Sequence, residues 1–112
     1  MLAPRFEEWK VVRMTLQARV SQVRIRPEQM EEAAQIYEQF IVPALKQQPG
    51  FSGALLLTQP ESGRGISITL WDSEESRTAG EVGGFYQEQI AHFAGMFTET
   101  PVRDAFEVAV QV

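Results

Sequence analysis

From Met30 to Leu45 the apolar residues fall at helical spacing: Met30, Ala33, Ala34, Tyr37, Phe40, Ile41, Ala44 and Leu45 form one stripe. Such a stripe has to be covered by a second layer, and the flanking segments supply one. "LQARVSQVRIR" before it and "FSGALLLTQ" after it carry strand-forming residues, alternating with period two in the first and largely buried in the second. The switch between these two periods repeats along the chain, and its order constrains the fold more than any single residue does.

The first strand spans Leu16 to Arg26. Its alternation slips, with Leu16, Ala18 and Val20 on one parity and Val23 and Ile25 on the other, which predicts a bulge at Ser21 and Gln22. Pro27 suits the first helical position, and Glu28, Glu31 and Glu32 follow at the positive end of the helix dipole. Pro43 lies inside the helical stripe and predicts a kink or a tightened last turn. "QQPGF" stops the helix, and "PESGRG" suits a hairpin turn into a third strand, Ile66 to Trp71. A short helix from Ser73 to Ala79 is predicted next, with Asp72 as its cap and Glu75 returning the bond. Gly80, Gly83 and Gly84 break it. A further helix from Phe85 to Phe97 buries Phe85, Gln89, Ile90, Phe93, Ala94 and Phe97. "VRDAFEVAVQV" reads as the last strand, with Phe106, Val108, Val110 and Val112 on one face.

The resulting order, β-α-β-β-α-β, is that of an α+β, ferredoxin-like fold: a four-stranded antiparallel sheet with the helices on one face. Its other face would be too apolar to leave in water, and the same face of a second copy would cover it. A homodimer closing an eight-stranded α/β barrel across a two-fold axis is therefore expected. A chain of 112 residues is one domain. Residues 1–15 read as an N-terminal extension and 16–112 as the domain. Within the extension, Phe6, Trp9 and Val12 sit three apart, as on one face of a short helix.

Composition narrows the chemistry. The net charge is −5, and no Lys or Arg cluster in the sequence breaks it, so neither nucleic acid nor an anionic membrane surface is an expected partner. No cysteine is present, which removes disulfides, thiolate nucleophiles and iron–sulfur clusters. His92 is the single histidine, too few for a metal site built on two. No metal or cofactor is expected. No apolar run approaches the ~20 residues that span a bilayer, and a signal-peptide core is missing from "MLAPRFEEWKVVR". A soluble, cytoplasmic protein is the expectation.

The third strand, "ISITLW", puts Ile66, Ile68 and Leu70 on one face and Ser67, Thr69 and Trp71 on the other. If the aliphatic face meets the helices, Trp71 and the two hydroxyls look into the barrel between protomers. An indole beside small polar groups suits a pocket wall. The alternative is a tryptophan that caps the barrel end, its N–H on a backbone carbonyl.

Residues 16 to 110, with "VPALKQQPGFSGALLL" followed by "ITLWDSEES", resemble the antibiotic biosynthesis monooxygenase domains of the dimeric α/β-barrel superfamily. Some members oxidise polycyclic phenols to quinones with dioxygen alone, and others degrade haem. The resemblance implies Trp71, Ser67 and Arg77 as catalytic candidates. Ser67 stands where phenol oxidisers carry an Asn and Arg77 where they carry a Tyr, while Ser21 falls near the Asn of the haem degraders. Thr69 on the Trp71 face, Arg19 as an anion anchor, Tyr86 at a pocket mouth and His92 join Ser21 as binding candidates. For His92 a partly exposed helix position competes with a haem ligand or base. "DSEES" reads as a helix cap. Two functions are in view: a barrel that binds a small aromatic molecule and oxidises it without a cofactor, or one that binds or scaffolds without turnover.

Overall fold

Pairing of a central strand on both sides organises the molecule, for which a computed structural model describes residues 16–112. The expected helix through Phe6, Trp9 and Val12, and the extension 1–15, lie outside the described residues. The strands are Gln17–Arg24 (β1), Phe51–Gln59 (β2), Arg64–Trp71 (β3) and Val102–Glu107 (β4). They form one antiparallel sheet in the order β2-β3-β1-β4, the ferredoxin-like order. β1 runs in unbroken register against β3, from Gln17↔Trp71 to Arg24↔Arg64, so the bulge expected at Ser21 and Gln22 is absent. A central strand is apolar on both faces, and the slip in alternation records a change in which face holds the larger residues. The irregularity falls instead on β2, between Phe51 and Gly53.

Helix α1, residues 27–46, is not uniform. A single 3-10 turn, Pro27–Gln29, leads into α-helix at Met30–Ile36, a π turn at Tyr37–Ile41 and α-helix again at Val42–Lys46. The expected effect of Pro43 therefore takes the form of a widening before it, not a tightening after it. Its ring would collide with the carbonyl four residues back, and it has no N–H to donate. The π turn accommodates both, with the Val42 N–H reaching the Tyr37 carbonyl.

Helix α2, Glu74–Val82, is capped by Ser73, whose Oγ accepts the Ser76 N–H at 3.1 Å; Asp72 is not the cap. It runs past Ala79 through Gly80 and stops at Gly83 and at Gly84, whose φ of 85° favours glycine. Helix α3, Phe85–Ala91, ends earlier than its apolar stripe. Beyond it the chain tightens into i→i+3 turns, the Phe93 N–H on the Ile90 carbonyl and the Met96 N–H on the Phe93 carbonyl, each at 2.9 Å. Phe93 and Phe97 stay packed inward along this tighter path. β4 is shorter than expected, because β1 offers it a partner only as far as Gln17↔Glu107. One further bond, from the Val108 N–H to the Leu16 carbonyl, follows it, and Val110 and Val112 are exposed.

The two sheet faces are the reverse of the expectation. Trp71 packs with Tyr37, Ile41 and Leu45 of α1, so Ser67, Thr69 and Trp71 lie under the helices. Ile66, Ile68 and Leu70 take the open face by alternation. Leu55, Leu57, Val102 and Phe106 join them there, each 46–56% exposed. Period two separates two faces but does not say which one a crossover will cover, and here both carry enough apolar surface to qualify.

Gly63 turns the hairpin at φ 79°, and a Cβ there would lie 2.0 Å from the Ile25 carbonyl oxygen. That approach is fixed by the Ile25 N–H, which donates to the Gly63 carbonyl at 2.8 Å. Gly63→Ala should lower stability by at least about 2 kcal/mol in urea unfolding, from left-handed strain plus the backbone clash. Gly84→Ala, with nothing within 4 Å of its added Cβ, should cost less.

Candidate functional site

Buried residues form two clusters rather than one. Ile25, Met30, Ala33 and Met96 join sheet to helix at one end; Tyr37, Ile41, Leu45 and Trp71 do so at the other. No residue of α2 or α3 is fully buried. Between the clusters the two layers stand apart and enclose a cavity of about 150 Å³. Since a water needs roughly 10–15 Å³ by this measure, it has room for on the order of ten water-sized groups. Protein interiors are otherwise close-packed, so a gap of that size is a feature to be explained.

The Trp71 ring is a fixed wall. Its Nε1–H donates to the Thr69 Oγ at 2.9 Å, both residues being buried, and Phe51 meets it edge-on with centroids 5.6 Å apart. Its partner is thus a side-chain hydroxyl two residues back on the same face. Next along β3, the Ser67 Oγ lies 2.8 Å from the Tyr37 Oη. Tyr37 opens the π turn, so the local widening of α1 coincides with the side chain that crosses the gap. Burial makes the Tyr37 hydroxyl less acidic, raising its pKa above the ordinary tyrosine value, with the Ser67 bond working the other way.

The end of the cavity under α2 is charged. Glu81 receives Arg19 in an ion pair, Arg103 at 3.3 Å, and Arg77 one turn away at 4.0 Å. Arg103 also sits over the Tyr86 ring, its Cζ 3.4 Å from the ring centre. Burial raises the Tyr86 pKa, opposed by the charges of Arg103 and Arg19. Burial likewise lowers that of Arg103, with Arg19 adding to the effect and Tyr86 and Glu81 countering it.

Six of the residues singled out in the sequence therefore line one cavity: Trp71, Ser67, Thr69, Ser21, Arg77 and Tyr86. The cavity lies between sheet and helices of a single protomer, not on the open side where the expectation put it. Arg19 stands behind its wall, bound to Glu81. His92 is elsewhere: it is exposed, stacked on Phe40 with centroids 5.1 Å apart, and does not line the cavity. It closes α3 as the C-cap residue, still in helical conformation, and takes the exposed helix-edge position that the sequence set against a ligand role. Glu81 and Arg103 were not distinguishable in the sequence from surface charges, and only the fold brings them together with Arg19 and Arg77. Among the described residues, no group of three or more His, Asp or Glu is placed to hold a metal ion, and no helix is long and apolar enough to cross a membrane.

The model of the antibiotic biosynthesis monooxygenase family matches residues 17–79. No curated protein matches the sequence. Among solved structures, the fold is shared with SnoaB, a cofactor-independent oxygenase from Streptomyces nogalater, at 15% identity and a TM-score of 0.66, covering 88% of this chain and 96% of that one. A protein of unknown function from Nitrosomonas europaea superposes with a TM-score of 0.71 at 19% identity, covering 89% of this chain and 95% of its own. A conserved protein from Methanosarcina mazei does so with 0.70 at 13%, covering 88% and 97%.

The raised Tyr37 pKa has a consequence at alkaline pH. A proton held more tightly in the folded than in the unfolded chain gives stability that is present below the usual tyrosine value of about 10 and is lost as pH rises through the folded value. Tyr37→Phe should make the alkaline fall in Tm shallower above about pH 10, measured beside the parent protein from pH 7 upward. An equal fall in both would exclude Tyr37 as a contributor.

Proposed function

This chain belongs to the antibiotic biosynthesis monooxygenase family, and we propose that it binds a small, largely aromatic molecule between its sheet and helices and oxidises it with dioxygen and no cofactor. The observation that carries the reading is the unfilled apolar gap walled by Trp71, with a pair of hydroxyls at hydrogen-bond distance inside it. The room available fits a body of one or two rings. Trp71 supplies a flat, immobile wall against which a ring can lie. The Tyr37–Ser67 pair supplies donors and acceptors on a solvent-shielded surface, where electrostatic interactions are stronger than in water.

In the reaction a phenol takes up one oxygen atom at a ring carbon and the second leaves as water. The ring furnishes all four electrons, ending as a quinone. The phenolate is the electron donor, so the protein has three tasks: exclude water, hold the ring, and favour loss of the phenolic proton. Arg77 and Arg103 favour the anion electrostatically, and the apolar walls limit access of water.

Binding without turnover is the second reading. The Trp71 N–H is already committed to Thr69, and the Ser67 hydroxyl to Tyr37. A ligand has to share the Ser67 hydroxyl or displace its partner before that group can act on it. Oxygen consumption and quinone absorbance with a panel of naphthols separate the two. Turnover that drops at least tenfold in Trp71→Phe supports oxidation through this site. Turnover unchanged by that substitution removes Trp71 from it, and binding without consumption leaves the second reading.

The same family membership supports a homodimer. The open sheet face carries Leu55, Leu57, Val102 and Phe106 half-exposed around Ile66 and Ile68, an apolar grouping of the kind that marks an interaction surface. A second copy laid face to face covers it and closes the barrel while leaving each cavity within its own protomer. Light scattering at micromolar concentration should give twice the chain mass, and Leu57→Asp should shift it toward one. A monomeric parent protein would overturn the dimer without touching the cavity.

A further inference from the structure

Three guanidinium groups meet one carboxylate at the end of the cavity under α2, an excess of two positive charges within this cluster. These side chains are not freely solvated: Arg77 is 10% exposed, Arg19 15% and Arg103 23%. The Nε of all three is buried and has no hydrogen-bond partner among the described residues. Buried donors are nearly always satisfied, and charged ones lose more when they are not. Glu81 is fully engaged, with Arg19 and Arg77 on Oε1 and Arg103 on Oε2. It cannot neutralise the group by itself. Arg103 is also held in orientation by stacking on Tyr86, so part of the entropy of fixing a long side chain is lost before any ligand arrives.

An ion-pair network serving only the fold would balance its charges more evenly, since uncompensated buried charge is destabilising. Resting on the reading that the cavity takes an aromatic molecule, we propose that this molecule is an organic anion, seated with its negative oxygen against Arg77 and Arg103 and its ring toward Trp71. Arg19 acts at one remove, holding Glu81 so that the other two guanidinium groups keep hydrogen-bonding capacity for the guest. The oxygen is a carboxylate or a phenolate; the shared requirement is a localised anion on a flat apolar body. Arg donors in a forked array suit either one.

Calorimetric titration with three probes of one shape tests this: 2-naphthoate, 2-naphthol and the neutral 2-naphthylmethanol. An anion should bind at least about tenfold more tightly than the alcohol, the size of one charge-assisted hydrogen bond. If 2-naphthol is the tighter, its red-shifted naphtholate absorbance on binding identifies the phenolate; if 2-naphthoate is, the carboxylate is identified. Arg77→Gln and Arg103→Gln should each abolish most of that preference while leaving the alcohol within about twofold. Arg103→Lys should retain part of it, and circular dichroism checks that each variant is folded. Glu81→Gln should raise anion affinity by removing the competing carboxylate. Equal binding of anion and alcohol, or a preference that survives both glutamine variants, overturns the proposal and leaves the aromatic cavity standing. Failure of all three probes to bind overturns both.

Discussion

The molecule depends on the spacing of two apolar contacts between its layers. Ile25, Met30, Ala33 and Met96 hold helix to sheet at one end, and Tyr37, Ile41, Leu45 and Trp71 hold it at the other. Each cluster is buried between helix and sheet and fixes the separation where it stands. The span between is bridged mainly by residues that are only partly buried, chiefly Phe85, Ile90 and Phe93. A void in this position persists because collapsing it would break one contact or the other. Leaving it unfilled forfeits dispersion contacts along its lining, a cost usually tolerated in natural proteins where a guest occupies the space.

Polar groups inside that space are arranged by the same scaffold. Thr69 and Ser67 lie on the β3 face under α1 because β3 pairs with β1 without interruption from Gln17↔Trp71 onward. Thr69 is occupied in orienting an indole; Ser67 is occupied by a tyrosine that reaches it from the π turn. A regular α-helix through Tyr37 would conflict with Pro43, so the proline that disturbs α1 and the hydroxyl that enters the cavity belong to one local solution. Pocket chemistry and helix irregularity are thereby linked through backbone geometry.

Element order and sheet architecture were legible in the sequence because they follow from hydrophobic period, which is local. The faces were not. Ile66, Ile68 and Leu70 look like core in the chain, yet they lie on the open face, and Ser67, Thr69 and Trp71 lie under the helices. Which parity a crossover covers is a three-dimensional property, and when both faces are apolar the pattern is silent. The same applies to charge. Arg19, Arg77, Glu81 and Arg103 are scattered over three separate elements, and each is an ordinary surface residue by its neighbours in sequence. Arg77 was reached only through a position in a family pattern, and Glu81 and Arg103 by nothing. For His92 the spacing left an exposed helix position and a ligand role open, and the residue takes the exposed position, at the end of its helix and away from the cavity.

An acidic protein with a basic recess is not a contradiction. The net charge of −5 is spread over an exterior where counterions screen it within roughly 8 Å at physiological ionic strength. The arginine group sits in a part-buried setting, with apolar walls on several sides, where screening is weaker and a nearby opposite charge is felt more strongly. An approaching anion therefore meets mild repulsion at a distance and attraction only once it has entered. That favours flat molecules whose apolar body gains from burial over small inorganic anions, which bring charge but little surface. On the proposed reading, selectivity of this kind would follow from placing the apolar wall of Trp71 and the guanidinium groups along one cavity.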